Sequence, residues 1–562
     1  MSAQELIIVK PDKCVGCNNC VRNCPAPEAN ITKMLDDGRM VTTVNNEKCI
    51  ACGQCVKECA HGARDYIDDT EEAMAKMRGS KMIILATPSI KAVFPTKWKG
   101  ILDWFKSKGC IIYDVSLGAD ICTWAHLRAI EQKKVGNVIT QPCAAIVKYV
   151  EIYQPKLLNN LSPIHSPIGC ACVYIKKYLR RENPIAVLTP CIAKKAEFEE
   201  TKVADYNITF EKLEEYFDKN GIKVATNPAN DFDYKFEEMQ GQVGSVYPRP
   251  GGLRDNLWLH DPDINVTTSE GVHKVYPELD MYAQMPDFKH PEVFDVLSCE
   301  FGCNIGPGAG TKQSMFDVMA TMKEIEKDAK KKRKTGVFGG GADKLFEKFD
   351  KDLKVSDFMR TYKAVTPTPP PTEKQLDAVF EMMGKHTEAD RNFNCHACGY
   401  NSCRDMATAI CRGLNTADNC VIHAKTVLTA RHSDLTRQHE LLSEITGECL
   451  ALSDTLKQDL ANINSNVDTI GESTAKTSDR ASTVNELLES VIGFCKGNST
   501  MDAGSVGQLV EILETTLDAF KDLDNNVNVT NESSDVIRKS ITQISGLVDS
   551  INDNLKKAES KK

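Results

Sequence analysis

The stretch "CVGCNNCVRNCP", residues 14–25, returns as "CIACGQCVKECA", residues 49–60. Both hold four cysteines as C-x2-C-x2-C-x3-C, closed by Pro25 in the first run and by Ala60 in the second. Such close spacing lets one short loop wrap a metal centre and aim several thiolates at it. The chain has 23 cysteines, and a reducing cytosol disfavours disulfides, so the spacing is read as metal-binding. Two structural zinc sites are the plain alternative, and the doubled eight-cysteine pattern argues against them.

The rest of the composition narrows the class. At 562 residues the chain has length for ~4 domains and a large core. Apolar residues make up 41% and charged residues 26%, as expected of a soluble protein. The net charge of −9 argues against a broad nucleic-acid surface. The longest apolar runs, such as "MIILA" from Met82, are too short to span a bilayer. The start "MSAQELIIVKPDK" lacks the pattern of a secretory signal, and a cytoplasmic location is expected.

The doubled run is similar to the bacterial two-cluster ferredoxin pattern, in which the fourth cysteine of each run serves the other cluster. That resemblance implies one 4Fe-4S cube at Cys14, Cys17, Cys20 and Cys59, and another at Cys49, Cys52, Cys55 and Cys24. A third group, Cys395, Cys398, Cys403 and Cys420, has the spacing C-x2-C-x4-C-x16-C. It resembles a small 4Fe-4S domain of anaerobic electron-transfer proteins, with zinc as the alternative. Met406, Ala409, Ile410 and Leu414 predict a short helix there, in which Cys411 is core.

Between these groups, strand-like runs such as "KMIILATPS" and "PIAVLTPC" alternate with helical ones such as "KKYLRR". Three strand-like runs end in cysteine beside small or turn residues: "TQPCAAIVKYVE", "LTPCIAKKAEFEE" and "DVLSCEFGCNIGPGAG". Any one of these cysteines alone would read as a small buried hydrophobe. Together, in this order after two ferredoxin runs, they resemble the signature segments of FeFe hydrogenases. The resemblance implies that Cys143, Cys191, Cys299 and Cys303 hold the 4Fe half of an H-cluster, Cys303 bridging to a two-iron half with CO, cyanide and azadithiolate. It also implies that Lys194 and Ser89, with Pro88, lie near the cyanides.

Several positions depart from that family. Pro142 stands where a proton-delivering cysteine is usual, and proline has neither a side-chain proton nor a backbone N–H. Anchored on Gly118–Asp120, His126 and Ala129 take the places of two relay glutamates, while Ser162 matches the relay serine. His126 could carry protons, although an isolated histidine is more often structural. Thr189 and Leu297 replace two methionines, and Ile168 a glutamine, around the two-iron pocket. Cys170 and Cys172 are read as packing or as substitute donors.

The C-terminal third changes character. "AVTPTPPPTEKQ" reads as an extended linker. Beyond it Leu435, Leu442, Cys449, Leu456, Ile463 and Ile470 recur every seven residues, with Ile445 and Leu452 as companions. Ile537, Ile541, Ile544, Val548, Ile551 and Leu555 follow at spacings of four and three. These seams predict a coiled coil or helical bundle, broken at "GNSTMDAGSVG", residues 497–507. Polar residues at Asp459, Asn466, Thr530 and Ser534 interrupt it. In pattern the region resembles chemoreceptor signalling helices, without their hairpin tip. "KDAKKKRK" from Lys327 reads as a solvated helix face, and "FGGGADK" from Phe338 as a connector.

The expected fold is therefore multidomain α/β: a two-cluster ferredoxin domain (1–70), an H-cluster domain (78–364), a Pro-rich linker and connector (365–385), a small 4Fe-4S domain (386–423) and a coiled-coil region (424–562). The expected function is a dihydrogen-sensing FeFe hydrogenase of low turnover. The alternatives are a fast ferredoxin-linked hydrogenase and an iron-sulfur scaffold without the two-iron half. Expected partners are dihydrogen, protons, a redox partner such as ferredoxin, maturation proteins, a downstream signalling protein and a second copy through the helices; no nucleic acid and no membrane span are expected.

Overall fold

In the computed structural model the described residues are 5–132, 136–310, 312–335, 342–497 and 502–559. The cysteine runs lie between short strands: β1 (Ile7–Val9), β2 (Asn30–Met34), β3 (Met40–Val44) and β4 (Arg64–Tyr66). β1 pairs with β4 and β2 with β3, both antiparallel. These strands tie the two runs together as one module.

The central strands of the next sheet are apolar without alternation, as strands covered on both faces must be. β5 (Ile83–Ala86), β6 (Ile111–Asp114), β8 (Ile185–Thr189) and β9 (Tyr206–Thr209) form a parallel sheet in the order β6-β5-β8-β9. Ile83 pairs in register with Ile185. A second parallel sheet has the order β10-β11-β7, from β7 (Val138–Ile139), β10 (Val266–Glu270) and β11 (Val293–Leu297). Each of the five residues of β8 and of β11 is buried.

Parallel strands need crossovers, and helices supply them. α1 (Val115–Glu131) starts at an Asp114 cap that accepts from Ser116 N, and packs on α3 (Pro167–Val173). α2 (Ala144–Tyr153) follows Cys143, and α4 (Lys194–Thr201) follows Cys191 by three residues. The expected helix at "KKYLRR" is present over its first half, as a wide π-helical stretch, Tyr174–Tyr178, that continues α3 and ends before Leu179. α5 (Met315–Thr335) buries Val318, Met322, Ile325 and Ala329 and leaves Lys327, Lys330 and Lys331 exposed, so the basic run is a solvated face. The first residues of "FGGGADK" lie outside the described residues, and a helix begins at Ala342.

α6 (Glu373–Met382) falls within the stretch expected to be connector. It has a Thr372–Gln375 capping box, and Leu376, Val379 and Phe380 pack on Met406 and Ala407 of α7 (Cys403–Cys411). Its apolar face gives the third cysteine group a core that the group alone lacks.

The chain divides into two units, Met1–Lys425 and Thr426–Lys562. The second consists of most of α8 (Val421–Gly497) and of α9 (Ala503–Glu559). Lys496–Glu514, Ser478–Asp524, Arg538–Asp468 and Lys457–Asp549 contacts run in opposite chain directions, so the helices are antiparallel. The line facing inward from α8 is Thr446, Ser453, Leu460 and Val467. The predicted seam, Leu435, Leu442, Cys449, Leu456, Ile463 and Ile470, is exposed. The α9 seam splits: Val548 is buried, whereas Ile537, Ile544 and Ile551 are exposed. Of the polar interruptions, Ser534 is buried and Asp459, Asn466 and Thr530 are exposed. The predicted break is shorter than expected, since α9 already includes Gly504 and Gly507. Among the described residues no helix is long and apolar enough to cross a membrane.

Candidate metal centres

Parallel sheets place their ligand crevices at the carboxyl ends of the strands, where loops diverge. Here two sheets contribute. Pro88 and Ser89 follow β5, Pro142 and Cys143 follow β7, Thr189 ends β8 before Cys191, and Leu297 ends β11 before Cys299. All of them line one cavity with Cys303, Lys194 and Ile168. Cys143, Cys191, Cys299 and Cys303, up to 160 residues apart in the chain (Cys143 to Cys303), meet there. Gly302 makes the last approach possible. Its φ is +88°, and an added Cβ would lie 2.3 Å from the Pro248 carbonyl oxygen. The next residue, Cys303, donates its N–H to that same oxygen at 2.7 Å.

The chemistry of this donor set suits a polynuclear metal group. Burial pushes the Cys191 thiol up to about 11, and neighbouring Cys143 adds to the shift. Burial raises Cys299 and Cys303 too, and the other thiols of the group reinforce it. Four thiolates cannot share a buried pocket without positive charge, which a bound metal centre would supply while fixing the deprotonated form. The N-terminus of α2, directly after Cys143, adds a favourable dipole for negative charge.

Lys194 is buried and paired with Glu197 one turn along α4. Glu197 in turn accepts from Ser166 Oγ at 2.5 Å, and Ser166 caps α3. Burial raises the Glu197 carboxyl, but the Lys194 and Arg360 cations outweigh it and hold it below the ordinary range. Lys194 therefore reaches the cavity from a fixed direction. Glu197 was not singled out from sequence, although its i,i+3 relation to Lys194 was readable.

The expected proton stations separate into groups. Pro142 forms part of the cavity wall. His126 and Ser162 do meet, with Nε2 2.8 Å from Oγ, both fully buried. Ala129 is buried in the core beyond them. Cys170 and Cys172 do not line the cavity; Cys172 packs with Ile83 and Val187, and Cys170 lies beside Cys122.

In the N-terminal module, Cys24 comes to the second run: Cys55 and Cys49 reinforce the burial that pushes its thiol up. Cys20 is affected by Cys14 and Cys17. A residue unforeseen from sequence lies between the runs. Buried Arg64 donates to Cys20 Sγ at 3.3 Å, Asn30 Oδ1 at 3.1 Å and the Thr42 carbonyl at 2.9 Å.

Cys395, Cys398, Cys403 and Cys420 line another small cavity together with the buried Lys385. Asn394 Oδ1 accepts from Cys403 N at 2.7 Å and fixes the start of α7. Cys411 is half-buried against that core rather than in the cavity. This module docks on the first cysteine run. Asn18 Nδ2 donates to Asn419 Oδ1 at 2.9 Å, Arg22 to the His396 carbonyl at 3.1 Å, and Thr32 N to the Leu414 carbonyl at 2.8 Å. Arg412 pairs with Glu28 at 2.9 Å. Gly399, at φ +89°, lies so near Asn18 and Val21 that a Cβ would meet both at 2.9 Å.

Residues 80–274 match the family model described as iron only hydrogenase large subunit, C-terminal domain. Residues 6–60 match a 4Fe-4S dicluster domain, and residues 392–422 match an Fe-S cluster model. Among solved structures, the chain is similar to a variant of apo FeFe-hydrogenase HydA1 from Chlamydomonas reinhardtii at 14% identity and TM-score 0.40, covering 54% of this chain and 100% of that one. A structure described as revealing stepwise FeFe-hydrogenase H-cluster assembly in HydA(deltaEFG) is similar at 13% identity and TM-score 0.37, covering 53% and 99%. No curated protein matches the chain.

Proposed function

We propose that this chain, an FeFe-hydrogenase-like protein with iron-sulfur cofactors, responds to dihydrogen as a low-turnover hydrogenase and passes its redox state to the C-terminal helices. One observation carries the reading. The cavity keeps four thiols and Lys194, yet presents Pro142, Ile168, Thr189 and Leu297 where the family has a proton donor and polar or sulfur contacts. The four thiols would hold the 4Fe half of an H-cluster, with Cys303 also on the two-iron half. When bound, that group supplies the site at which dihydrogen is split or formed. Lys194, aimed by Glu197 and Ser166, would hold an anionic cyanide by hydrogen bonding, with Ser89 and Pro88 near the other. The apolar walls exclude water from the reacting face.

The cysteine runs would hold two 4Fe-4S clusters and the small module a third. The docking of Gly399 on Val21 and of Asn419 on Asn18 supports electron exchange between the first run and that third cluster. Cys420, its last ligand, directly precedes α8. A change of one charge there would bias the adjoining helix. The exposed Leu442, Leu456, Ile463, Ile537 and Ile544 of the antiparallel pair favour a second copy of the chain as partner. Ferredoxin as redox partner, maturation proteins, a downstream signalling protein and a cytoplasmic location complete the proposal.

The test is infrared spectroscopy of the matured protein, combined with hydrogen exchange of α8 and α9 under dihydrogen and under inert gas. Bands of CO and cyanide, slow turnover and gas-dependent helix protection are expected. Missing bands would leave an iron-sulfur scaffold. Unchanged helix protection together with fast turnover would leave an ordinary hydrogenase.

A further inference from the structure

The cavity lacks a proton donor at Pro142, but its wall is not isolated from buried polar groups. Tyr247 lines the cavity; its hydroxyl lies 2.7 Å from Thr123 Oγ1, next to Cys122 on α1, and burial together with the neighbouring Cys122 sulfur holds the phenol well above its ordinary range. Cys122 Sγ lies 3.6 Å from His126 Nδ1, one turn further along α1. His126 Nε2 then meets Ser162 Oγ at 2.8 Å. Tyr247, Cys122, His126 and Ser162 are all buried, within a core otherwise made of residues such as Ile121, Leu127 and Leu253. Four polar groups in series inside such a core are costly unless each is satisfied, and these satisfy one another.

We propose that Ser162, His126, Cys122 and the Tyr247 hydroxyl form a proton relay ending at the cavity wall, in place of the thiol that Pro142 removes. It rests on the hydrogenase reading above.

The hydrogen-bond geometry fixes the resting tautomer of His126, and the Cys122 sulfur lies 3.4 Å from the His165 carbonyl oxygen as well as beside the ring. His126 Nδ1 lies 2.8 Å from the Cys122 carbonyl oxygen, which can only accept, so Nδ1 carries a proton. In the neutral ring Nε2 is then the acceptor for the Ser162 hydroxyl. With Cys122 as the thiolate, a proton reaching Nε2 from Ser162 releases the Nδ1 proton to the Cys122 sulfur, and Ser162 regains its own from a proton carried in by water from solvent. The Cys122 sulfur gives its proton to the Tyr247 oxygen, whose own proton moves on at the cavity wall. One proton enters and one leaves at every atom, and no electron is transferred. The ionisation of the pair agrees. Burial opposes charge on both groups, but the Cys170 thiol and His126 outweigh it at Cys122, and Cys122 outweighs it at His126. The thiol is thus held low and the imidazole high, as a proton-exchanging pair requires.

The experiment uses the full chain, matured anaerobically, and reads dihydrogen turnover, the CO and cyanide bands and the S–H infrared band. Cys122→Ala and Tyr247→Phe should each lower turnover by about 10²-fold with the CO and cyanide bands unmoved. Cys122→Ser, which restores a proton carrier, should recover most of that loss, as a packing role would not. In the chain loaded only with 4Fe clusters, His126→Gln should raise an S–H band that Cys122→Ala removes. Turnover close to wild type in both Cys122→Ala and Tyr247→Phe, or an S–H band indifferent to His126→Gln, would overturn the relay while leaving the hydrogenase reading intact. Absence of CO and cyanide bands from the wild-type chain would instead sink that reading, and the delivery of protons to this cavity with it.

Discussion

Lys194 and Glu197, one turn apart on α4, form a buried ion pair at the wall of the four-thiol cavity. Removing one partner of such a pair leaves an uncompensated buried charge, at a cost of about 3–5 kcal/mol. Glu197→Gln should therefore lower the denaturant midpoint markedly, and Lys194→Met with Glu197→Gln should regain most of it. Equal loss in the single and double variants would show that the pair is not the source.

The same carboxyl sets an acid limit. Its folded pKa is held below its ordinary value of 4.5, so its contribution to stability is fully present above that value. It is lost as pH falls through the lower folded value. Wild-type stability should fall more steeply below pH ~5 than that of the double variant, read from denaturant midpoints across pH.

Arg64 places a buried cation between the two N-terminal cysteine runs. Arg64→Met should shift a cluster potential downward by about 60 mV or more, the one-electron equivalent of tenfold. A redox titration followed by paramagnetic resonance measures this. An unchanged potential would make Arg64 purely structural.

Gly399→Ala should loosen the small module from the first cysteine run. Its φ of +89° and the 2.9 Å approaches to Asn18 and Val21 both oppose a side chain, costing on the order of 1–3 kcal/mol. Hydrogen exchange across residues 392–422 should rise while the two parallel sheets stay protected.

Pro142→Cys should raise turnover, most clearly in the Cys122→Ala background, where a thiol at the cavity wall would be the missing proton carrier. Steady-state dihydrogen assays of the four proteins decide it. No gain in either background would count against the reading of Pro142 as the cause of slow turnover.

On the helical unit, exposed and buried lines should respond differently. Leu442→Asp with Ile463→Asp should abolish dimers in sedimentation while leaving helix content unchanged. Val467→Asp, on the buried line, should reduce the helical signal itself.

Much of this was readable in the chain. The spacing of Cys14 to Cys24 and of Cys49 to Cys59 is local, so the loops that wrap a metal can be recognised before any fold is known. The continuous apolar runs ending at Ala86, Thr189 and Leu297 likewise announce strands, whose parallel pairing the structure supplies. The heptads at Leu435 to Ile470 predicted long helices correctly but not which line turns inward. Periodicity defines stripes on a helix, and only the neighbour chooses among them. α6 was read as connector because its packing partner, α7, follows about twenty residues later.

By itself, then, the sequence determined the cluster-like spacing of the cysteine runs, the α/β class of the core and a proline, with no proton to give, beside Cys143. These depend on residue type and short spacing. Only the tertiary structure decided that Arg64 sits against Cys20, that Asn419 docks on Asn18, and that Tyr247 joins Cys122 to the cavity. Those contacts join residues 44, 401 and 125 positions apart in the chain. No local pattern encodes them, because they exist only after the hydrophobic cores have brought distant segments together.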